Sequence, residues 1–152
     1  MNVLKLIKKD HAAVQSLFNK FDKTGKSSHE KREEIFEQIR RELQIHSRAE
    51  EEIFYPFLKS LNGNSNRNLI SEALKEHREI DELLTQISRL QPTDKNFDEK
   101  VEALFENVEN HIQEEEREIF QFAEEKCSQE QLENLGREVE ERKKTLDRQL
   151  AA

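Results

Sequence analysis

The sequence predicts an all-α protein: an up-down-up-down four-helix bundle with an additional C-terminal helix. Its 152 residues fit one domain and include only 3 Gly and 2 Pro, so the chain holds little turn material. Leu, Glu, Lys and Gln, which are good helix formers, dominate, whereas Val, Thr and Tyr, which favour strands, are scarce. Four long segments, followed by a fifth, repeat apolar residues at steps of three and four, the spacing of one helix face. Short loops between long helices favour antiparallel neighbours.

The first two predicted helices are separated by a short break at residues 25–27. The first helix carries an apolar stripe made of Leu4, Ile7, His11, Val14, Phe18 and Phe21. Ser27 and Glu30 have the spacing of a capping box, which predicts the start of the second helix. The stripe of the second helix comprises Ile35 or Phe36, Ile39, Leu43, His46, Glu50, Ile53 and Phe57. Pro56 predicts a kink near its end, and a loop is expected over Asn62–Asn66.

The remaining helices are bounded by similar signals. The third ends before residues 91–94 and carries the stripe Leu69 or Ile70, Ala73, His77, Ile80, Leu84 and Ile87. Asn96 with Glu99 predicts the start of the fourth, whose stripe is Val101, Leu104, Val108, His111, Glu115, Ile119 and Phe122. Ser128 with Gln131 predicts a fifth helix, which carries a thin stripe of Leu132, Leu135, Val139, Leu146 and Leu150.

The charge and the cysteine content argue against several classes of protein. A formal net charge of -8 disfavours sequence-independent binding to nucleic acid and binding to an anionic membrane surface. The single cysteine, Cys127, permits no intrachain disulfide and is expected to pack at a helix end. The N-terminus, Met1–Lys9, lacks the apolar core of a signal peptide, and no window approaches the roughly 18 apolar residues of a membrane span. A cytoplasmic protein is expected.

Two helices place a histidine and a glutamate, four residues apart, on their apolar stripes. These pairs are His46 with Glu50 and His111 with Glu115, and each pair points in one direction because residues i and i+4 share a helix face. Burying such groups without partners costs several kcal/mol, and a bound cation offsets that cost. No Arg or Lys on these stripes is available to pair with the carboxylates.

Two further histidines, His11 and His77, lie on the stripes of the first and third helices. In antiparallel helices that rise about 1.5 Å per residue, His46, His77 and His111 come within a few ångströms of one level. His11 fits this level less well, so the second helix must overhang the first or begin later than assigned. A lone histidine on an apolar stripe is commonly a core residue, but four at one depth predict metal binding. His29, in a charged segment, is expected at the surface.

Six ligands are too many for one tetrahedral zinc ion and suit two metal ions. Imidazole and carboxylate together favour iron, with manganese as an alternative, and two glutamates from opposite helices can bridge two ions. A carboxylate-bridged di-iron centre therefore fits best. Ferritin-like bundles use Glu-x-x-His with additional glutamates, whereas this chain has the reverse order and more histidine than carboxylate, which disfavours that class.

The ordered pattern of these six residues resembles the hemerythrin-like, or HHE cation-binding, family. The match covers roughly residues 1–125 and includes the neighbours Asp10–His11, Glu50–Glu51 and Glu76–His77. The resemblance implies a four-helix HHE domain over 1–125, with residues 126–152 forming a helix that packs on the bundle or on a partner. It also implies two iron ions in an oxo- or hydroxo-bridged non-haem centre, with manganese or zinc as alternatives. The implied terminal ligands are His11, His46, His77 and His111, and the implied bridging ligands are Glu50 and Glu115.

Two departures from the oxygen-carrying hemerythrins shape the expected function. Ala73 stands where those proteins have a further histidine, and Glu116 stands where they have an aspartate, with Glu115 at the four-residue spacing. One iron should therefore have fewer protein ligands and an exchangeable position. Asp81 is a candidate extra ligand, although Ile80 and Leu84 compete for its helix face.

The expected function is to bind or sense O2, NO, peroxide or iron rather than to carry O2 in bulk. The alternatives are a di-iron redox enzyme or an iron-donating repair protein, and a metal-free interaction bundle. The expected partners are a small ligand and, through the C-terminal helix, a protein; the chain is expected as a monomer or homodimer, with no nucleic acid and no membrane. Tyr55 lies half a turn out of phase with His46 and is expected to pack at a helix end.

Overall fold

The computed structural model describes residues 1–61 and 64–151, and within them the chain is helical and contains no strand. The α-helices are α1 (Val3–Lys23), α2 (His29–Ala49), α3 (Tyr55–Ser60), α4 (Asn64–Ser88), α5 (Lys95–Glu114), α6 (Phe120–Lys126) and α7 (Gln129–Ala151). Two short π-helical segments join neighbouring helices: Glu50–Phe54 connects α2 to α3, and Glu115–Ile119 connects α5 to α6. The all-α bundle with an additional C-terminal helix is therefore confirmed.

Each π-helical segment continues the rod to which it belongs. At the first junction the backbone stays helical, with φ -62° and ψ -45° at Glu50 and φ -64° and ψ -42° at Tyr55. Pro56 falls in the first turn of α3, where a missing backbone N–H costs little. The irregularity expected at Pro56 is thus found one turn earlier, as a widened helical turn.

The core consists of two apolar clusters with a polar layer between them. One cluster fills the end of the bundle near the α1–α2 and α4–α5 connections and includes Phe18, Phe36, Leu84, Phe97 and Leu104. The other fills the opposite end and includes Ile7, Ala49, Phe54, Ile70, Phe120 and Leu135. Four residues of the thin stripe of α7 are buried in the second cluster: Leu132, Leu135, Val139 and Leu146. The fifth predicted residue, Leu150, is exposed, so α7 packs on its own bundle along all but its last turns.

The predicted helix starts are only partly correct. The capping box at Ser128 and Gln131 is confirmed: Gln131 N–H donates to Ser128 Oγ at 3.1 Å, and Ser128 N–H donates to Gln131 Oε1 at 2.8 Å. The predicted start at Ser27 and Glu30 is wrong, because Ser28 is the N-cap of α2. The predicted start of α5 at Asn96 and Glu99 is also wrong. Its N-cap is Asp94, whose carboxylate accepts from Asn96 N–H at 2.9 Å.

The last part of the loop expected over Asn62–Asn66 is helical instead. Residues 62 and 63 lie outside the described residues, and α4 has already begun at Asn64. The helix therefore uses polar residues that the sequence pattern assigns to a loop. None of the described helices combines the length and apolar character needed to cross a bilayer.

Close backbone contact lets α7 lie against the start of α1. Gly136 faces this contact, and a Cβ atom there would be 2.2 Å from Met1 O and 3.0 Å from Val3 N. At the other end of α7, Arg41 of α2 donates to Asp147 Oδ1 at 2.7 Å. These contacts place α7 along α1 and α2, on the outside of the polar layer.

Candidate metal centre

The polar layer brings together all six residues that the sequence predicts as metal ligands. One histidine comes from each of four helices: His11 from α1, His46 from α2, His77 from α4 and His111 from α5. Their side chains are buried, as are the carboxylates of Glu50 and Glu115, which are 1% and 0% exposed. Each glutamate is the first residue of a π-helical segment and so follows its histidine by one turn on the same rod.

The six residues form two groups, each of which has the geometry to hold a metal ion. In each group the potential ligand atoms lie within 4.8 Å of one another. The groups are His11, His46 and Glu115, and Glu50, His77 and His111. The imidazole centroids are 5.0 Å apart in the His11–His46 pair and 4.6 Å apart in the His77–His111 pair. Each group thus contains two histidines from neighbouring helices in one half of the chain and a carboxylate from the other half.

Both carboxylates lie between the two histidine pairs. Glu50 Oε1 is 2.9 Å from His46 Nε2 and 3.6 Å from His77 Nε2. The oxygens of Glu115 lie 3.0 Å from His11 Nε2 and 3.8 Å from His111 Nε2. A carboxylate that reaches both pairs has the geometry required to bridge two cations.

A second ring of four carboxylates fixes the orientation of the four imidazoles. The Nδ1 atoms of His11, His46, His77 and His111 lie 2.7, 2.9, 2.7 and 2.8 Å from oxygens of Glu116, Asp10, Glu51 and Glu76, respectively. An N–H at Nδ1 that donates to a carboxylate leaves the Nε2 lone pair free and directed inward, which is the usual arrangement of a metal-binding histidine.

Sequence reasoning missed the role of this second ring, although a signal was present. Each outer carboxylate is next to a residue of the inner set: Asp10 and Glu76 precede histidines, and Glu51 and Glu116 follow glutamates. The distance between helices decides which histidine each one contacts, and the sequence does not contain that distance. Glu116 is therefore a partner of His11 Nδ1 rather than a member of either inner group.

Asp81 does not join the inner groups. Ile80 and Leu84 are buried on that face of α4, whereas the side chain of Asp81 is exposed near Glu51. Ala73 is buried one turn before His77 and offers no donor atom. His29 lies at the start of α2, far along the helix from His46, and Cys127 follows α6, where it packs against the apolar cluster next to α7. Burial raises the pKa of the Cys127 thiol.

The prediction for Tyr55 is wrong. Tyr55 is 1% exposed, and its hydroxyl donates to Glu115 Oε2. The hydroxyl oxygen of Tyr55 also lies 3.5 Å from His77 Nε2. The π-helical segment is the cause, because its backbone hydrogen bond joins Tyr55 N–H to Glu50 O, five residues back. Tyr55 therefore lies below Glu50 and faces the centre, where regular helical geometry would turn it away.

The two central carboxyl groups have pKa values shifted in opposite directions. Burial raises the pKa of Glu50 well above its usual value, and the nearby charge of Glu115 raises it further. Burial also acts to raise the pKa of Glu115, but the hydrogen bond with Glu50 and the histidines His111 and His11 outweigh it, so that this pKa is well below its usual value. Burial beside Glu115 therefore favours the protonated form of Glu50, and the surrounding histidines favour the ionised form of Glu115.

The pKa values of three of the histidines are also shifted. Burial lowers the pKa of His77, and the proximity of His111, whose Nε2 lies 3.1 Å from His77 Nε2, acts in the same direction. Burial opposes protonation of His11 and His111 as well, but the carboxylates, led by Glu115, raise both pKa values. A divalent cation would replace these protons as the source of positive charge.

The residues present fit a metal centre. Seven buried side-chain atoms make no well-formed hydrogen bond within the described residues. Two of them, His29 Nδ1 and Arg32 Nε, lie outside the centre, and the other five belong to the inner ring: His11 Nε2, His46 Nε2, Glu50 Oε1, Glu50 Oε2 and Glu115 Oε1. Unpaired buried polar atoms are costly, and the five inner-ring atoms converge on the space between the two histidine pairs. The ion pairs given by Glu50 and Glu115 within the described residues are all to histidine, with no Lys or Arg to neutralise them.

The chain is similar to known proteins over most of its length. Residues 2–123 match the profile of the family described as "Hemerythrin HHE cation binding domain". The chain is similar to a crystal structure of a hemerythrin HHE cation binding domain-containing protein from Mycobacterium kansasii. That similarity has a TM-score of 0.84 and 26% identity and covers 96% of this chain and 87% of that chain.

Two curated relatives extend the comparison. A protein of Nostoc sp. named "DNA nickase" is 31% identical over 150 residues, which are 99% of this chain and 41% of that protein. An uncharacterized hemerythrin-like protein of Schizosaccharomyces pombe is 28% identical over 103 residues, which are 68% of this chain and 51% of that protein. The chain thus spans about half or less of the length of these relatives. Because the family profile covers most of the chain, including every residue of the inner and outer rings, the protein belongs to the hemerythrin HHE cation-binding domain family.

Proposed function

We propose that the polar layer holds a carboxylate-bridged non-haem di-iron centre. His11 and His46 would be terminal ligands of one iron, and His77 and His111 those of the other. Glu50 and Glu115 would bridge the two ions. The observation that carries this proposal is that each central carboxylate lies between the two histidine pairs, with oxygens 2.9 to 3.8 Å from histidine nitrogens of both.

Iron is the proposed metal because the donor set is mixed. Imidazole nitrogen suits iron, copper, nickel and zinc, while carboxylate oxygen favours harder ions such as iron and manganese. Manganese and zinc remain the alternatives. Two histidines and two shared carboxylates give each ion four protein donors, which leaves iron with positions for an exogenous ligand.

The proposed activity is to bind or sense a small ligand, O2, NO or peroxide, or iron itself. Bulk O2 carriage is disfavoured because the buried Ala73 supplies no additional histidine beside His77. Apolar clusters close both ends of the polar layer and keep bulk water away from it. When bound, iron would supply the redox chemistry, and the chain would supply orientation through the outer carboxylates.

The first experiment is metal analysis of the purified protein together with its optical spectrum under O2 and under nitrogen. We expect about two irons per chain and a yellow to brown protein whose spectrum responds to the gas. The double variant His46→Leu, Glu50→Leu should stay folded and lose the metal, whereas His29→Leu, which removes the histidine outside the site, should retain it. A colourless protein that holds a single zinc ion, or a double variant that keeps both irons, would contradict the proposal.

A second candidate is a di-iron enzyme, and the buried hydroxyl of Tyr55 favours it. This hydroxyl contacts Glu115 and lies beside His77, so it is an O–H group held at the proposed metal centre. Steady-state consumption of peroxide or NO by the iron-loaded protein, lost in the double variant, would support turnover. A stoichiometric spectral change without turnover would support the binding or sensing role.

We also propose that this chain does not act on nucleic acid and works in the cytoplasm as a monomer or homodimer. The name of the Nostoc relative refers to DNA, but the match spans only 41% of that protein. The net charge of -8 opposes binding to a phosphate backbone. Incubation of the iron-loaded protein with supercoiled plasmid should leave the plasmid intact. Nicking that disappears in the His46→Leu, Glu50→Leu variant would overturn this proposal.

A further inference from the structure

We propose that Lys143 of α7 is a positioning residue for the metal ligand His46 and acts through Asp10. The C-terminal helix, which lies beyond the residues that match the family profile, would then set the affinity of one half of the centre. This inference rests on the proposed function, since it concerns a residue that holds a proposed ligand in place.

A continuous chain of contacts leads from α7 to His46. Lys143 Nζ donates to Asp10 Oδ1, and the other carboxylate oxygen, Asp10 Oδ2, lies 2.9 Å from His46 Nδ1. The side chains are largely enclosed, with 10% of Asp10 and 20% of Lys143 exposed. Asp10 is thus held from both sides, and its position determines the direction of the His46 ring.

The other three outer carboxylates are arranged differently. The side chains of Glu51, Glu76 and Glu116 are 37%, 17% and 30% exposed, and their ion pairs within the described residues are to histidine alone. Water can therefore hydrate their charge. Asp10 has little access to water, and a buried carboxylate requires a paired cation. Without Lys143, we expect Asp10 to turn toward solvent, which weakens its hold on His46.

The helix that carries Lys143 is attached to the bundle by contacts that do not involve the metal centre. Arg142 donates to Glu52 Oε2 at 2.5 Å, Arg41 donates to Asp147 Oδ1 at 2.7 Å, and Gly136 packs against the backbone at the start of α1. Removal of the Lys143 charge should therefore leave α7 in place. Arg142 offers a matched control, since it is the neighbouring residue on the same helix and its ion pair does not reach the proposed ligands.

The test is a titration of the metal-free full chain with Co2+ under nitrogen, followed by its visible absorption. We expect the wild type to bind two equivalents. Lys143→Met, which keeps much of the side-chain stem, should weaken one of the two binding steps by about tenfold, the lower end of what loss of an outer-ring partner costs. Lys143→Arg should restore the affinity, because it returns a cation to Asp10. Arg142→Met should leave both affinities unchanged.

Thermal unfolding of the metal-free variants provides the structural readout. We expect both Lys143→Met and Arg142→Met to unfold cooperatively and well above the temperature of the titration, so that a weaker Co2+ affinity in Lys143→Met does not come from an unfolded chain. Equal Co2+ affinities in Lys143→Met and wild type would overturn the inference while leaving the proposed function intact. An equal loss in Arg142→Met would also overturn it, since the effect would then come from the attachment of α7. A wild type that binds no Co2+ would overturn the proposed function and this inference together.

Discussion

At the scale of single residues, one extra residue in a helical turn decides which side chains reach the centre. A regular helix advances about 100° per residue, so Tyr55 should lie opposite His46. The first π-helical segment removes that offset by joining Tyr55 N–H to Glu50 O, and the second joins Phe120 N–H to Glu115 O in the same way. Tyr55 and Phe120 therefore occupy equivalent positions in the two rods, and only Tyr55 carries a hydroxyl.

Replacement of Tyr55 by Phe should destabilise the metal-free protein. The hydroxyl donates to Glu115, and a hydrogen bond to a buried charged group contributes about 1.5–3 kcal/mol. We expect a loss of about this size in the free energy of unfolding, measured by urea denaturation of the metal-free chain. The loss should be smaller in the metal-loaded chain, where a cation also neutralises Glu115. An equal loss in both states would mean that the hydroxyl acts through packing alone.

Much of the inner ring could be predicted from the sequence, because a helix alone fixes which residues share a face. His46 with Glu50 and His111 with Glu115 follow from i, i+4 spacing on an apolar stripe. Tyr55 could not be predicted, because the π-helical turn leaves no pattern that periodicity detects. The pairing of Asp10 with His46 depends on the distance between α1 and α2, which only tertiary packing supplies.

At the scale of elements, the ends of helices show where local signals compete with packing. The capping box at Ser128 and Gln131 forms as predicted, whereas α2 begins at His29 without a side-chain cap. Arg32, in the first turns of α2, donates to Thr24 O at 2.7 Å and to Asp98 Oδ1 at 2.8 Å. This buried arginine joins the end of α1, the start of α2 and the start of α5, and so fixes the helix ends by tertiary contacts.

Replacement of Arg32 by Met should therefore destabilise the protein without affecting the metal centre. The change removes hydrogen bonds to Thr24 O and Asp98 and leaves the part-buried carbonyl of Thr24 without this donor, which costs about 1–3 kcal/mol. Chemical denaturation should show this loss, and the Co2+ stoichiometry should be unchanged. Arg40→Met is the matched control, because Arg40 pairs with Glu37 at the surface and its loss should cost well under about 1 kcal/mol.

Gly136 decides how closely α7 approaches α1. In a helix interior, alanine is more favourable than glycine by about 1 kcal/mol. At position 136, however, the added Cβ would lie 2.2 Å from Met1 O. Overpacking of this kind costs about 1–3 kcal/mol, so we expect Gly136→Ala to be destabilising overall. Urea denaturation should show the loss. Gly25→Ala is the control, since the nearest atom to its new Cβ is Ser28 Oγ at 3.8 Å; equal stability of the two variants would contradict the close contact.

At the scale of the whole molecule, burial of the polar layer destabilises the metal-free protein, and metal binding should offset this loss. Two apolar clusters bury six ionisable groups between them, and five of the ring atoms lack well-formed hydrogen bonds within the described residues. A ligand that binds only the folded state stabilises it in proportion to the logarithm of its concentration over its dissociation constant. The bundle is therefore expected to be markedly more stable with metal than without.

As the pH rises above neutrality, the stability of the metal-free chain should fall, whereas the stabilisation that a bound metal adds should increase. The folded metal-free chain has raised pKa values at Glu50, His11 and His111, compared with usual values of 4.5, 6.5 and 6.5. It therefore binds more protons than the unfolded chain above these values, and its stability falls as the pH rises through the raised pKa values. The lowered pKa values of His77 and Glu115 act only below 6.5 and 4.5, respectively. Metal binding requires deprotonated ligands, so metal affinity rises over the same range.

We therefore expect the thermal stabilisation by metal to grow between about pH 6.5 and about pH 8.5, as the metal-free midpoint falls and the metal affinity rises. Calorimetry of the metal-free and metal-loaded chain at both pH values measures the difference directly. Glu50→Gln should flatten the metal-free pH dependence, because a neutral amide takes the place of the carboxyl group that must otherwise ionise beside Glu115. A metal-free midpoint that rises with pH in the wild type would contradict the raised pKa values of Glu50, His11 and His111.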